Sequence, residues 1–183
     1  NAQDAGRPQL GCTEKCCEDA RRDTNLSRMP VSLGLHGEQF GIVETTRCIG
    51  DQITLMGNLP ISEVWLTHAH LGHIEGLGQF GRESFNSKNV KLRCSDSVVD
   101  YVMKHPIWKK LIERGNLTFD KFKSDTIVPI EVPHRAQDFD THAILFKGKN
   151  NNILFLPDHD TWEKTLDFVE YNNPKEWFSS LDA

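Results

Sequence analysis

The sequence lacks a long apolar run and an excess of positive charge. No stretch approaches the roughly 18 to 20 apolar residues that a membrane-spanning helix needs, and residues 1–30 are polar, without the apolar core of a signal peptide. The net charge is −5, with Lys and Arg scattered among Asp and Glu. We therefore expect a soluble protein that has neither a membrane nor a nucleic acid as its partner.

The sequence also lacks the even number of cysteines that is typical of a secreted disulfide framework. Of its 5 cysteines, Cys12, Cys16 and Cys17 lie close together. A reducing compartment or a bound metal explains this pattern better than disulfide bonds do, so we predict a cytoplasmic protein. Because the chain begins with Asn1 rather than Met, a removed targeting segment stays open, and with it a periplasmic or secreted location.

No internal repeat, low-complexity segment or linker divides the chain, and its 183 residues suffice for one sizeable core. We expect one domain over residues 1–183, beginning with a Cys-containing loop over residues 1–30. Short apolar runs then alternate with helical patterns, which predicts an α/β fold. Strands are expected at 31–35, 40–44, 64–66, 90–94, 127–132, 142–147 and 153–156, the first two as a hairpin. Helices are expected at 48–56, 74–80, 96–104, 106–114 and 160–170.

Three histidines directly follow one of the apolar runs, in the segment Thr67-His68-Ala69-His70-Leu71-Gly72-His73. Side chains alternate along a strand, so His68 and His70 can face the same side, and His73 lies on the following turn. The three imidazoles can therefore converge on one ion. The alternative is that they are surface histidines of a polar loop.

Two further residues make the metal interpretation stronger. His134 and Asp158 each follow another apolar strand-like run, so three strands end in a side chain that can bind a metal. The sequence thus predicts a metal site formed by His68, His70, His73, His134 and Asp158, with Asp158 also taking part in catalysis. We expect His159 or Asp160, without binding the metal itself, to contact a ligand imidazole and orient it.

Such a site predicts hydrolysis. A divalent ion held by imidazoles and a carboxylate lowers the pKa of bound water from about 15.7 to about 7 and polarises a carbonyl or phosphoryl oxygen. We expect one or two Zn²⁺ ions, with Fe or Mn as alternatives. The substrate is expected to be a small molecule with an ester, phosphodiester, thioester or lactam-like bond.

The cysteine cluster predicts a second kind of site. Cys12, Cys16 and Cys17 can form most of a structural Zn²⁺ site that would order a loop with little core of its own. The alternative is that some of them are buried free thiols. The fourth ligand is not evident from the sequence, and the candidates are Cys48, Cys94 and His36.

On these motifs the chain resembles the metallo-β-lactamase superfamily, whose pattern is His-x-His-x-Asp-His, then a separate His, an Asp and a final His. The N-terminal run Ala2-Gln3-Asp4-Ala5-Gly6-Arg7-Pro8-Gln9-Leu10-Gly11-Cys12 resembles the branch that contains coenzyme PQQ biosynthesis protein B. The resemblance implies an αββα sandwich. It also implies a structural zinc at the N-terminal cysteines, as in that branch and in the similar phosphonate-pathway cyclic phosphodiesterases.

The chain departs from that pattern at two places. Gly72 stands where the superfamily has Asp, and no histidine follows His159, so a second metal position is expected to be weakened or lost. Folds of this kind normally continue past the Asp158 position. We therefore expect either a fragment that is truncated after residue 183 or a homodimer in which a second copy supplies the missing strands.

These departures keep two other functions open. One is a non-catalytic metal-binding or scaffold protein that keeps the fold and has lost turnover. The other is a redox enzyme with non-haem iron, because histidines and a carboxylate with open positions also hold iron.

Overall fold

The structure is a computed structural model and describes residues 4–37, 39–135, 138–167, 169 and 173–183. Its strands are β1 (Leu33–His36), β2 (Phe40–Val43), β3 (Ile61–Trp65), β4 (Val90–Arg93), β5 (Leu117–Asp120), β6 (Ile127–Glu131), β7 (His142–Lys147) and β8 (Asn152–Phe155). Its α-helices are α1 (Lys15–Arg22), α2 (Ile49–Leu55), α3 (Leu71–Ile74), α4 (Asp96–Lys104), α5 (Pro106–Glu113), α6 (Trp162–Leu166) and α7 (Pro174–Ser179). Short 3-10 helices lie at Thr24–Leu26 and Glu75–Phe80.

The strands form two sheets. The larger sheet has the order β1-β2-β3-β4-β5, with β1 antiparallel to β2 and the other neighbours parallel. The smaller sheet is antiparallel, with the order β6-β7-β8. Since parallel strands need crossover connections, helices lie between β2 and β3 and between β4 and β5.

Alternation along the strands sorts side chains between the two faces of the larger sheet. Ile42, Val64 and Leu92 are register neighbours, and all three are buried in the main core with residues of α2, α4 and α5. One position later in each strand, Val43 and Trp65 face the other way. They pack with residues of the smaller sheet in a second cluster.

The two sheets therefore pack face to face, with helices outside. Ile144 of β7 joins Val43 and Trp65 in the cluster between the sheets. Its neighbour Leu145 points to the opposite face, where it lines a groove together with Trp177 of α7. The expected mixed α/β sandwich is confirmed.

Several elements differ from the expectation. The loop expected over residues 1–30 is wrong for Lys15–Arg22, which forms α1 and buries Cys17 and Ala20 on one face. Strand β5 and helix α7 were not predicted. The helix expected over 74–80 begins earlier, as α3, and continues as a 3-10 helix.

Some expectations fall partly outside the described residues. These are the hairpin turn at Glu38, positions 168 and 170 of the helix expected over 160–170, and Ala2 and Gln3 of the N-terminal run. Among the described residues, no helix is both long and apolar enough to cross a bilayer.

Candidate metal centre

The centre begins where β3 ends. The chain leaves β3 through the buried residues Leu66 and Thr67, and the Leu66 N–H donates to the Arg93 carbonyl at 3.0 Å, which continues the pairing with β4. His68 follows and is fully buried. His70 then precedes the first turn of α3, which carries His73.

Two groups of potential ligand atoms converge there. His68, His70 and His134 form one group, and His68, His73 and Asp158 form the other; within each, the ligand atoms lie within 4.8 Å of one another. His68 Nε2 is 2.9 Å from His70 Nδ1 and 3.6 Å from Asp158 Oδ2. His73 Nε2 is 2.9 Å from Asp158 Oδ2. His68 therefore belongs to both groups.

The two sheets each contribute to these groups. His134 follows β6 and Asp158 follows β8, both in the smaller sheet, whereas the other three histidines follow β3 of the larger one. The His142 N–H at the start of β7 donates to the Thr67 carbonyl at 3.0 Å. This bond joins the smaller sheet to the histidine segment next to His68.

Two side chains contact the rings of candidate ligands. Thr67 Oγ1 lies 2.9 Å from His68 Nδ1, and Asp160 Oδ1 lies 3.1 Å from His134 Nδ1. When Nδ1 donates the proton in each pair, Nε2 keeps its lone pair for a metal. His159, the alternative to Asp160, packs its ring against Trp162, with 4.4 Å between centroids.

Glu44 is a residue of the site that the sequence reading missed. It directly follows β2, is fully buried and has a left-handed backbone with φ of 67°. Its Oε1 accepts from the Thr67 N–H at 3.0 Å, and its Oε2 lies 3.2 Å from His73 Nδ1. The signal that could have found it is the same as for His68, a polar side chain at the end of an apolar strand.

Burial and charge separate the protonation states of the histidines. Burial and the nearby His73 and His70 rings lower the pKa of His68 to about 2. Burial and the His134 ring also lower the pKa of His70. Burial alone would lower the pKa of His73, but its contacts with Asp158 and Glu44 raise it to about 10. The contact with His73 lowers the pKa of Asp158 against the opposing effect of burial.

The unsatisfied atoms of the centre fit a divalent ion. Neither ring nitrogen of His73 nor Oε2 of Glu44 has a hydrogen bond of good geometry within the described part of the chain. Buried polar atoms are normally paired, so such atoms need an explanation. Imidazole nitrogens with one carboxylate form a donor set that zinc, iron and manganese accept.

Comparison with protein-family models finds no match, and neither does comparison with curated proteins. Comparison with solved structures finds several matches. Zn²⁺-bound PqqB from Methylobacterium extorquens matches with a TM-score of 0.69 and 15% identity, over 92% of this chain and 67% of PqqB. A diphosphatase from the PhnP family matches with a TM-score of 0.59 and 20% identity, over 78% of this chain and 58% of the diphosphatase.

Human tRNase Z, short form, matches with a TM-score of 0.51 and 13% identity, over 75% of this chain and 66% of the enzyme. A further match is named as a metallo-β-lactamase fold protein, YhfI from Bacillus subtilis, with a TM-score of 0.50, 18% identity, and coverage of 68% of this chain and 55% of YhfI. The chain has the metallo-β-lactamase fold. The expected likeness to PqqB is confirmed at the level of that fold.

The N-terminal cysteines belong to neither group of ligand candidates. Cys16 and Cys17 are on α1, and the buried Cys17 Sγ accepts from the Gln9 N–H at 3.4 Å. Among the described residues, Cys12, Cys16 and Cys17 do not form a group of ligand atoms within 4.8 Å of one another. The structural zinc stays a prediction.

Proposed function

We propose that this protein is a metal-dependent hydrolase that uses a metal-activated water molecule. The observation that carries the proposal is the convergence of the two ligand groups on His68. His68 is fully buried with a strongly lowered pKa, so it is neutral at physiological pH and its nitrogen is available to a metal.

The two ligand groups suggest two metal positions. His68, His70 and His134 would hold one ion, and His73 and Asp158 would form part of a second position that shares His68. A bound ion would supply Lewis acidity and would lower the pKa of its bound water. Asp158, about a quarter exposed and with a lowered pKa, stays ionised at neutral pH, so it can accept a hydrogen bond from the attacking water and orient it.

Small molecules with a hydrolysable ester, phosphodiester, thioester or lactam-like bond are the proposed substrates. The match to a diphosphatase supports testing phosphate esters and phosphate anhydrides first. Zn²⁺ is the proposed metal, since the PqqB match is named as Zn²⁺-bound. Nucleic acid is not proposed as a partner because the net charge of −5 works against it.

The test combines metal analysis with a panel of phosphate ester, lactone, thioester and lactam substrates. We expect His68→Ala to lose most of the metal at the histidine site and all turnover, while an ion held by the cysteines would remain. His36→Ala is the matched control, because His36 is exposed on β1 and belongs to neither ligand group. We expect that variant to keep the metal at the histidine site and the activity.

The alternatives give different results in the same test. Tight zinc binding with no turnover of any substrate would favour a binding or scaffold role, which Gly72 makes a serious candidate. Bound iron with oxygen consumption would favour redox chemistry. Unchanged metal content in His68→Ala would refute the proposed centre itself.

A further inference from the structure

The space beside Gly72 is filled by another part of the chain. A Cβ atom built on Gly72 would lie 2.0 Å from Cβ of Asp4, 2.8 Å from its Cγ and 2.8 Å from its Oδ2. No other residue is among its three nearest neighbours. The side chain of Asp4 therefore occupies the volume that a side chain at position 72 would take.

The backbone around Asp4 is anchored by several contacts. The Arg47 guanidinium donates to the Asp4 carbonyl at 3.1 Å and also to the Ala5 carbonyl. Arg7 and Arg28 exchange two backbone hydrogen bonds of 2.7 and 2.8 Å. These contacts fix the N-terminal segment against the residues that follow β2, so Asp4 is held beside the metal centre.

Gly6 sets the path of this segment. Its φ of 69° is in the left-handed region, and a Cβ there would lie 2.6 Å from the Arg28 carbonyl oxygen. Glycine alone adopts this conformation without strain and allows such a close approach. The glycine thus lets the chain turn next to Asp4 while Arg7 pairs with Arg28.

The carboxylate of Asp4 also interacts electrostatically with the centre. Its charge acts on the nearby His70 ring. Position 72 lies between the ligand candidates His70 and His73. A carboxylate beside position 72 therefore lies next to the segment that carries both histidines.

We propose that Asp4 supplies to a second ion the carboxylate that position 72 lacks. The proposal rests on the proposed function, because it presupposes a first ion at His68, His70 and His134. Asp4 is not part of either group of converging ligand atoms. Its side chain must therefore turn toward His73 and Asp158 when a second ion binds, while the backbone stays held by Arg47.

The experiment titrates the full chain with Zn²⁺ and, separately, with Co²⁺, whose visible absorption reports on its ligands. In the wild type we expect two ions at the histidine centre. Asp4→Asn should keep the first ion and weaken the second by at least about tenfold, since removing even a group that only orients a ligand weakens metal binding about ten- to a hundredfold. Asp51→Asn, an exposed Asp on α2, is the matched control and should titrate like the wild type.

Moving the carboxylate from position 4 to position 72 gives a more specific test. Gly72→Asp alone should clash with Asp4 and displace the N-terminal segment, because the two Cβ atoms would be 2.0 Å apart. The double variant Asp4→Gly, Gly72→Asp removes that clash and returns a carboxylate to the same volume. We expect it to recover the second ion to within about threefold of the wild type, whereas Asp4→Gly alone should resemble Asp4→Asn.

The outcomes separate the inference from the function on which it rests. Equal second-ion affinity in the wild type and Asp4→Asn overturns the role of Asp4 and leaves the hydrolase proposal standing. A wild type that binds only one ion, lost in His68→Ala, also overturns it. If the wild type binds no ion at the histidines, both the proposed hydrolase function and the role of Asp4 are refuted.

Discussion

At the scale of single residues, the centre depends on His68 being both neutral and fixed in orientation. Burial keeps its ring uncharged, and Thr67 fixes one ring nitrogen while the other faces His70 and Asp158. His73 is the opposite case, since Asp158 and Glu44 stabilise its protonated form. The two neighbouring imidazoles therefore respond differently to an incoming ion.

This difference predicts that His73 releases a proton when metal binds. Because its pKa is raised to about 10, His73 carries a proton at pH 8 and must lose it to become a ligand. His68 has no proton to lose at that pH, and Asp158 is already ionised. Affinity at the His73 position should therefore rise with pH up to about 10.

The measurement is calorimetric titration with Zn²⁺ at pH 8 in buffers of different ionisation enthalpy. At saturation, the wild type should release about one proton more than His73→Gln, since glutamine has no proton to give up in this range. Equal proton release by the two proteins would contradict the protonated state of His73.

At the scale of elements, the turn after β3 is locked to the end of β2. The Thr45 N–H donates to the His73 carbonyl at 2.7 Å, and the Gly76 N–H donates to the Thr45 carbonyl at 2.7 Å. Gly76 packs so closely that a Cβ would lie 2.2 Å from the Thr46 carbonyl oxygen. The position of α3, and with it of His73, depends on this contact.

We expect Gly76→Ala to destabilise the protein and to weaken metal binding together. Forcing a methyl group against the backbone of Thr45 and Thr46 should lower the free energy of unfolding by about 1 to 3 kcal/mol. Gly78→Ala is the control in the same 3-10 helix, because a Cβ there meets nothing within 4 Å. Urea unfolding and Zn²⁺ titration of both variants test this, and equal behaviour of the two would refute the packing argument.

The elements that sequence reasoning found are those with strong local signals. Alternating or continuous apolar runs marked β2, β3, β4, β6, β7 and β8, and Ser95 marked the start of α4, where its side chain accepts from the Val98 N–H. Helix α1 was missed because its eight residues bury only Cys17 and Ala20. Strand β5 was missed because its Leu117-Thr118-Phe119-Asp120 run is short and gains its burial from pairing with β4.

At the scale of the whole molecule, the candidate ligand residues come from two sheets that meet through a small apolar cluster. His68, His70 and His73 follow the larger sheet, and His134 and Asp158 follow the smaller one. Sequence reasoning could nominate all five, because each follows an apolar strand. It could not find Glu44 as a partner of His73 or Asp4 beside Gly72, since those contacts exist only once distant segments are packed together.

A metal that bridges the sheets should stabilise the whole fold. At a free Zn²⁺ concentration about 100 times the dissociation constant, binding to the native state alone adds about 2.7 kcal/mol. For a chain of this size that raises the melting temperature by roughly 5 to 10 °C.

His134→Ala removes the ligand contributed by the smaller sheet to the first group, so it should lose most of this gain, whereas the exposed His36→Ala should keep it. Thermal melts with and without Zn²⁺ measure the effect. An equal gain in His134→Ala and the wild type would mean that the histidines of the larger sheet hold the ion alone, and that the metal does not link the two sheets.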